Sequence, residues 1–139
     1  MSKVCVLGAG SWGTALASVL DENGHEVLIW ARRQDQVDEI NNKNTNEKYL
    51  PGVKLSKTLR ASSNIDQVVD GAEFIVLGVP SQQIRSVCSD IADKIGPDQV
   101  LVNVARASLR LAPGCYTMPE IPVIDMLPGS REEIISTLV

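Results

Sequence analysis

Three glycines near the N-terminus have the spacing at which a phosphate group can approach the backbone. Gly8, Gly10 and Gly13 follow the apolar run VCVL and precede a stretch of small, helix-forming residues. In a strand–turn–helix unit the first glycine permits a tight turn, the second gives room for a pyrophosphate, and the third lets helix and strand pack closely. The helix N-terminus then offers unpaired N–H groups to the phosphates. The motif predicts a dinucleotide site, the alternative being a tight turn without a ligand.

Two arginines stand where a dinucleotide-binding domain usually carries an acidic residue. An Asp or Glu about 20 residues past the glycines hydrogen-bonds the adenine ribose hydroxyls, whereas this chain has Arg32 and Arg33 after its second apolar run. Guanidinium groups suit a 2′-phosphate, through paired charge-assisted hydrogen bonds. We therefore predict NADP(H) as the cofactor, with NAD(H) as a second ligand. The alternative is that both arginines form a solvated pair that starts a helix beside Asp35 and Asp38.

Other residues of chemical interest offer no self-contained catalytic set. Pro80 ends the fourth apolar run, at the sheet edge where ligands bind, and predicts either a backbone contact near the nicotinamide or simple turn chemistry. His25, the only histidine, precedes the second strand on the edge opposite the glycines. Cys5, Cys88 and Cys115 are far apart and lack the spacing of a disulfide framework or a zinc site. We expect no metal site, with Cys5 in a buried strand and Cys88 on a helix as small hydrophobes.

The elements that position these residues alternate along the chain. Six apolar segments have the length of strands, and helical segments separate most of them. Such alternation predicts a Rossmann-type α/β fold, a doubly wound, mostly parallel sheet with helices on both faces. The predicted strands are 3–8, 26–31, 58–63, 73–79, 99–105 and 121–127. The predicted helices are one from residue 11 to a stop at Gly24, and those at 34–43, 64–69 and 81–95.

Composition narrows the class of protein further. The chain has 139 residues, of which 44% are hydrophobic and 22% charged, and its net charge of −4 is spread along the whole length. This argues against a nucleic-acid partner, and no apolar run approaches the roughly 18 residues that a membrane span needs. The N-terminus lacks the pattern of a signal peptide. We therefore expect a cytoplasmic globular protein.

The longer sequence resembles one enzyme family. The pieces GAGSWGTALA, YLPG and VPSQ follow one another as in the N-terminal half of bacterial NAD(P)-dependent glycerol-3-phosphate dehydrogenase, and the resemblance covers residues 3–105. It implies reduction of dihydroxyacetone phosphate to sn-glycerol 3-phosphate, a phospholipid precursor. By position, the residues that would contact NADPH are Ser11, Trp12, Arg32, Arg33 and Tyr49, and Pro80 would lie beside the nicotinamide. Arg106 stands where the family has a lysine that touches both cofactor and substrate.

The last part of the chain departs from the family's pattern. We predict a dinucleotide-binding domain over 1–105 and a divergent tail over 106–139, with a strand at 121–127 and a short helix at 131–138. We expect the family's C-terminal helical domain, with its catalytic lysine, to be missing, as in a truncated or frame-altered product. The chain alone would then have no catalytic residue and no turnover, would meet its substrate only if the other half is supplied, and would self-associate through uncovered apolar surface. The alternative is a stand-alone dinucleotide-binding module without catalysis.

Overall fold

Strands and helices alternate along the computed structural model, which describes residues 1–104 and the backbone of residues 123–125. The strands are β1 Lys3–Leu7, β2 Glu26–Trp30, β3 Arg60–Ser62, β4 Phe74–Leu77, β5 Val100–Asn103 and β6 Val123–Asp125. The α-helices are α1 Ser11–Glu22, α2 Gln34–Asp38, α3 Ile65–Val69 and α4 Ile84–Ile91. A π-helical turn, Glu39–Lys43, continues α2, and a 3₁₀ turn, Ser81–Gln83, precedes α4.

The described strands form one sheet in the order β3-β2-β1-β4-β5-β6, and every neighbouring pair is parallel. The chain starts in the middle of the sheet, builds outward to β3, and then crosses back to place β4 on the other side of β1. This order confirms the doubly wound fold predicted from the sequence. It also brings the carboxyl ends of β1 and β4 together where the winding reverses, which is the place where such sheets bind ligands.

Both faces of the sheet are covered because successive residues of the central strands are apolar. In β1, Val4 and Val6 belong to a buried cluster that includes Leu20 of α1. The alternate residues, Cys5 and Leu7, belong to a second cluster that includes side chains of α4. Each of these four strand side chains is at most 1% exposed. The sheet is therefore the middle layer of three, as a near-continuous apolar strand pattern predicts.

Strands β1 to β5 are each shorter than predicted, whereas helical backbone covers the full predicted range 34–43. The helix predicted over 34–43 is α-helical for five residues and then π-helical, and it ends at Asn44, whose φ of 54° is left-handed. The first helix ends just before Gly24, whose φ of +89° only glycine adopts readily. Strand β6 lies within the predicted strand 121–127. The predicted helix 131–138 lies outside the described residues, and the division at residue 105 stays a prediction.

Candidate dinucleotide site

The glycine turn, residues 8–13, packs backbone against backbone at the carboxyl ends of β1 and β4. A Cβ on Gly13 would lie 2.2 Å from the carbonyl oxygen of Gly8, and a Cβ on Gly8 would lie 2.8 Å from the carbonyl carbon of Gly78. Gly8 also has φ +115°, which disfavours any side chain. Gly78 donates its N–H to the carbonyl oxygen of Leu7 at 2.8 Å. The first and third glycines of the motif therefore permit the turn and the close packing, and Gly78 is a further close contact that the motif does not contain.

Gly10 differs from these glycines because its missing side chain leaves open space. Among the described residues, no atom lies within 4 Å of a Cβ built on Gly10, apart from its own chain neighbours. Gly10 is the N-cap residue of α1, and this helix end has neither a side-chain cap nor an acidic residue in its first turn. As a glycine, the N-cap residue itself offers no side-chain acceptor to the first N–H groups of α1. Room for an anion and donors for it coincide here, which fits a pyrophosphate.

Ser11 and Trp12 form the start of α1, directly after this open space. Both side chains are exposed, and 42% of the Trp12 surface is accessible to solvent. Large aromatic side chains are usually buried, and an indole offers a flat apolar surface together with one hydrogen-bond donor. The structure thus places both predicted residues at the rim of the turn, where a ligand could contact them.

The two predicted arginines follow β2 but have different partners. The guanidinium carbon of Arg32 lies 5.6 Å from the ring centroid of Trp30, within cation–π range. Trp30 is buried, and its Nε1 donates to the carbonyl oxygen of Ser63 at 3.1 Å. Arg33 donates through Nε to Oδ1 of Asp35 at 3.0 Å and through Nη2 to Oδ2 of the same carboxylate. Arg33 is therefore the solvated, helix-starting residue of the alternative interpretation, whereas Arg32 has no carboxylate partner among the described residues.

Two amide side chains that the sequence analysis did not include contact the glycine turn from the connection between β2 and β3. Asn46 is 1% exposed, and its Nδ2 donates to the carbonyl oxygen of Ala9 and to Oγ1 of Thr14, both at 2.9 Å. Gln36 donates through Nε2 to the same Ala9 oxygen at 2.6 Å and to Oδ1 of Asn46 at 3.2 Å. The only sequence feature that could have indicated this contact is the asparagine-rich stretch NNKNTNEK, which contains Asn46. Such a stretch is equally typical of a polar loop without a special role.

Tyr49 is linked to the glycine turn through Asn46. The backbone N–H groups of Tyr49 and Leu50 donate to the carbonyl oxygen of Asn46, at 3.1 and 2.7 Å. The ammonium of Lys48 lies 5.5 Å from the centre of the Tyr49 ring. The predicted residue Tyr49 is thus held by the backbone of Asn46, the residue whose side-chain amide contacts the glycine turn.

Pro80 follows β4 at the same edge of the sheet. It is exposed, and its carbonyl oxygen accepts the N–H of Gln83 at 2.8 Å, which closes the 3₁₀ turn before α4. The residue before it, Val79, belongs to the backbone that the first glycine approaches. Pro80 therefore serves turn formation and also lies near the glycine turn. Arg106 lies outside the described residues.

The other residues of chemical interest lie away from this edge or are inert. His25 immediately precedes β2, at the amino edge of the sheet, and its Nδ1 accepts the N–H of Ser2 at 3.1 Å. Burial raises the pKa of the Cys5 thiol to about 12, and Cys88 is buried in α4, so both lie where the sequence predicts.

Within the described residues, no three His, Cys, Asp or Glu side chains are grouped to hold a metal ion. In the same part of the chain, no helix has the length and apolar character to cross a membrane.

The strand order and the glycine turn define a class of protein, the Rossmann-type dinucleotide-binding domains. Comparison with known proteins identifies the family within that class. The chain belongs to the NAD-dependent glycerol-3-phosphate dehydrogenase family, since the model of that family's N-terminal region matches residues 3–107. The family predicted from the sequence motifs is thereby confirmed.

Individual relatives agree with this assignment. The glycerol-3-phosphate dehydrogenase [NAD(P)+] of Lysinibacillus sphaericus is 48% identical over 106 residues, which are 76% of this chain and 31% of that protein. The enzyme of the same name from Leuconostoc mesenteroides is 44% identical over 138 residues, 99% of this chain and 41% of that protein. The crystal structure of glycerol-3-phosphate dehydrogenase from Coxiella burnetii is 28% identical with a TM-score of 0.72, over 98% of this chain and 37% of that one. This chain thus spans about a third of the length of the curated relatives it matches.

Proposed function

We propose that this chain is the cofactor-binding part of a glycerol-3-phosphate dehydrogenase and that it binds NADP(H) in preference to NAD(H). The observation that carries the proposal is the N-terminus of α1, where the space left by Gly10 adjoins the first N–H groups of the helix and the N-cap residue has no side chain. A pyrophosphate would occupy that space and accept hydrogen bonds from those groups. The cofactor named for the curated relatives, NAD(P)+, contains such a group.

The preference for the 2′-phosphate rests on the residues after β2. Arg32 carries a positive charge with no carboxylate partner among the described residues, and Arg33 lies beside it. No acidic residue occupies either position to repel a 2′-phosphate. The residues proposed to contact the cofactor are Gly8, Gly10, Ser11, Trp12, Gly13, Arg32, Arg33, Tyr49, Pro80 and Arg106.

The reaction proposed for the whole enzyme is reduction of dihydroxyacetone phosphate to sn-glycerol 3-phosphate, a precursor of phospholipids. When bound, NADPH supplies the hydride that adds to the carbonyl carbon, and a proton completes the new hydroxyl. The carbonyl must be held against the nicotinamide with a proton donor in reach. We assign neither task to the described residues, and we propose that this chain binds the cofactor but does not turn over substrate by itself.

The setting of the protein is part of the same proposal. We place it in the cytoplasm. We also propose that copies of the chain associate. Val19 on α1 is 42% exposed, and association would cover this apolar side chain.

Side-by-side calorimetric titration with NADPH and NADH tests the proposed cofactor preference, and Arg32→Asp identifies its origin. Because the substitution removes a charge-assisted hydrogen bond worth about 1.5–3 kcal/mol, we expect NADPH affinity to fall at least about tenfold and NADH affinity to fall less. Arg60→Asp makes the same charge change on the edge strand β3 and should leave both affinities within about twofold.

Three outcomes would contradict the proposal: no binding by the wild-type chain, equal losses for both cofactors, or an equal effect of Arg60→Asp. Dihydroxyacetone phosphate added to the same preparation should cause no loss of absorbance of the reduced nicotinamide. Oxidation of NADPH at this step would show that the chain supplies substrate contacts and a proton donor by itself.

A further inference from the structure

The carbonyl oxygen of Ala9 is an unusual point in the glycine turn because two side-chain amides converge on it. Ala9 lies between Gly8 and Gly10, and its oxygen accepts from Asn46 at 2.9 Å and from Gln36 at 2.6 Å. Gln36 also donates to the Asn46 oxygen at 3.2 Å, which fixes the orientation of the Asn46 amide. A buried carbonyl oxygen needs only one hydrogen-bond donor. The second amide is therefore not required to satisfy this oxygen, and it instead restricts the direction in which the oxygen points.

These contacts set the direction of the next N–H group. The peptide bond from Ala9 to Gly10 is planar and trans, so its carbonyl oxygen and the Gly10 N–H point in opposite directions. An oxygen held by Asn46 and Gln36 on one side turns the Gly10 N–H to the other side of the loop. The orientation of the open end of the glycine turn is therefore controlled by residues that would not themselves touch the cofactor.

The Asn46 amide also connects the turn to the helix that follows it and to its own loop. Its Nδ2 donates to Oγ1 of Thr14, in the second turn of α1, and Thr14 is fully buried. Its backbone carbonyl oxygen accepts the N–H groups of Tyr49 and Leu50. One residue thereby joins the glycine turn, α1 and the segment that carries Tyr49.

We propose that Asn46, assisted by Gln36, is a positioning residue that preorganises the glycine turn for the cofactor's phosphates. The inference rests on the proposed function, since it concerns the same site. Its energetic basis is preorganisation: a loop already held in its binding conformation loses less conformational freedom when the ligand binds.

Asn46→Asp tests the proposal with a nearly isosteric change. The charged aspartate has no hydrogen to donate, so one of its oxygens would face the Ala9 carbonyl oxygen at close range. We expect NADP⁺ affinity at pH 8, measured by calorimetry, to fall at least about tenfold relative to the wild-type chain. As the pH falls, the buried carboxyl becomes protonated, regains a donor, and should recover most of the lost affinity.

The pH profile separates positioning from a merely structural role. Glu39, which accepts from Thr45 and from the Glu47 N–H, lies in the same loop and is present in every variant, and the 2′-phosphate of NADP⁺ is common to every titration. The affinity of each variant is therefore divided by that of the wild-type chain at the same pH. Asn46→Ala loses the donor without adding a titratable group, so its affinity should fall and show no recovery at low pH.

Asn41→Asp is the matched control. Asn41 donates through Nδ2 to the carbonyl oxygen of Ala61 at 2.9 Å and accepts the Ala61 N–H at 2.8 Å, so its amide is also bonded twice to the chain. These bonds lie on the edge strand β3 and not at the glycine turn. We expect Asn41→Asp to lower the midpoint of urea unfolding and to leave NADP⁺ affinity within about twofold.

The outcomes distinguish this inference from the proposed function. If the wild-type chain binds NADP⁺ and Asn46→Asp binds it equally well, the positioning role is wrong and the proposed function stands. If the wild-type chain does not bind NADP⁺, both are wrong. Should Asn46→Asp fail to fold, Gln36→Leu decides: it removes the other donor to Ala9 from a half-buried position, and unchanged affinity in that variant would overturn the inference.

Discussion

Arg32 and Arg33 are adjacent in sequence but differ in their electrostatic surroundings. Arg33 is held by both oxygens of Asp35, whereas Arg32 lies over the Trp30 ring. The hydrogen bond from Arg33 lowers the pKa of the Asp35 carboxyl below its ordinary value, which shows that the charged carboxylate is stabilised by this contact. A 2′-phosphate that approaches Arg33 would compete with Asp35. The position of the two arginines in the sequence is therefore not enough to tell which of them would bind a 2′-phosphate more strongly.

Asp35→Asn should raise NADPH affinity about threefold, because it frees the Arg33 guanidinium for the 2′-phosphate. NADH lacks that phosphate, and its affinity should stay nearly constant in the same fluorescence titration. Asp38→Asn is the matched control: it removes a negative charge from the same helix, but Asp38 is bonded to Gln34 and not to an arginine. A similar gain in both variants would point to general charge repulsion instead of competition for Arg33.

The β1–turn–α1 unit combines two kinds of glycine requirement. Gly13 has no room for a side chain because a Cβ would meet the Gly8 oxygen, whereas a Cβ on Gly10 would meet open space. The first requirement comes from the protein's own packing and the second from the ligand that we propose. Neighbouring backbone groups and two side-chain amides hold the turn by hydrogen bonds.

Substitution of single glycines by alanine should separate these requirements. Gly13→Ala should destabilise the chain by about 1–3 kcal/mol, because an added methyl group overpacks the turn, and should also abolish NADPH binding. Gly10 has φ −77° in an extended conformation that alanine also adopts, so Gly10→Ala should unfold in urea close to the wild-type midpoint. Its NADPH affinity should nevertheless fall at least about tenfold, because the methyl group occupies the phosphate space. An unchanged affinity for Gly10→Ala would contradict the proposed phosphate position.

For the molecule as a whole, stability comes from two buried clusters that share the central strands. Alternate residues of β1 and β4 point into opposite clusters, so each strand contributes to both layers. The site lies at the carboxyl edge of these same strands, where the chain leaves the sheet. Within the part of the chain that the structure describes, the site is therefore built on strands whose side chains are buried on both faces of the sheet.

Ile75→Ala should lower the free energy of unfolding by about 2–5 kcal/mol, because it leaves a cavity in the middle of β4. Ile75 is fully buried, whereas Val19 on α1 is 42% exposed. Val19→Ala should change the free energy by less than about 0.5 kcal/mol. Equilibrium urea denaturation followed by circular dichroism measures both. Equal effects of the two substitutions would argue against the burial pattern described.

Much of the fold could be predicted because its signals are local. The apolar run of β1, the glycine spacing after it and the small residues of α1 each follow from nearby sequence, and the strand order follows from the general rules of alternating α/β chains. The structure shortens the third strand to Arg60–Ser62 and converts the second half of a predicted helix to a π-helical turn. These bounds depend on packing between distant elements, which local periodicity does not contain.

The sequence by itself determined the fold class, the family and the location of the glycine turn, because each depends on residue types at fixed short spacings. Only the tertiary structure decided that Arg33 is bound to Asp35 while Arg32 has no carboxylate partner among the described residues. Only the tertiary structure, too, brought Asn46 and Gln36 onto the carbonyl oxygen of Ala9. The physical reason is that a hydrogen bond requires two groups within about 3 Å in a suitable direction. For residues 37 positions apart in the chain, that condition is met only by the packed arrangement of α1, α2 and the sheet.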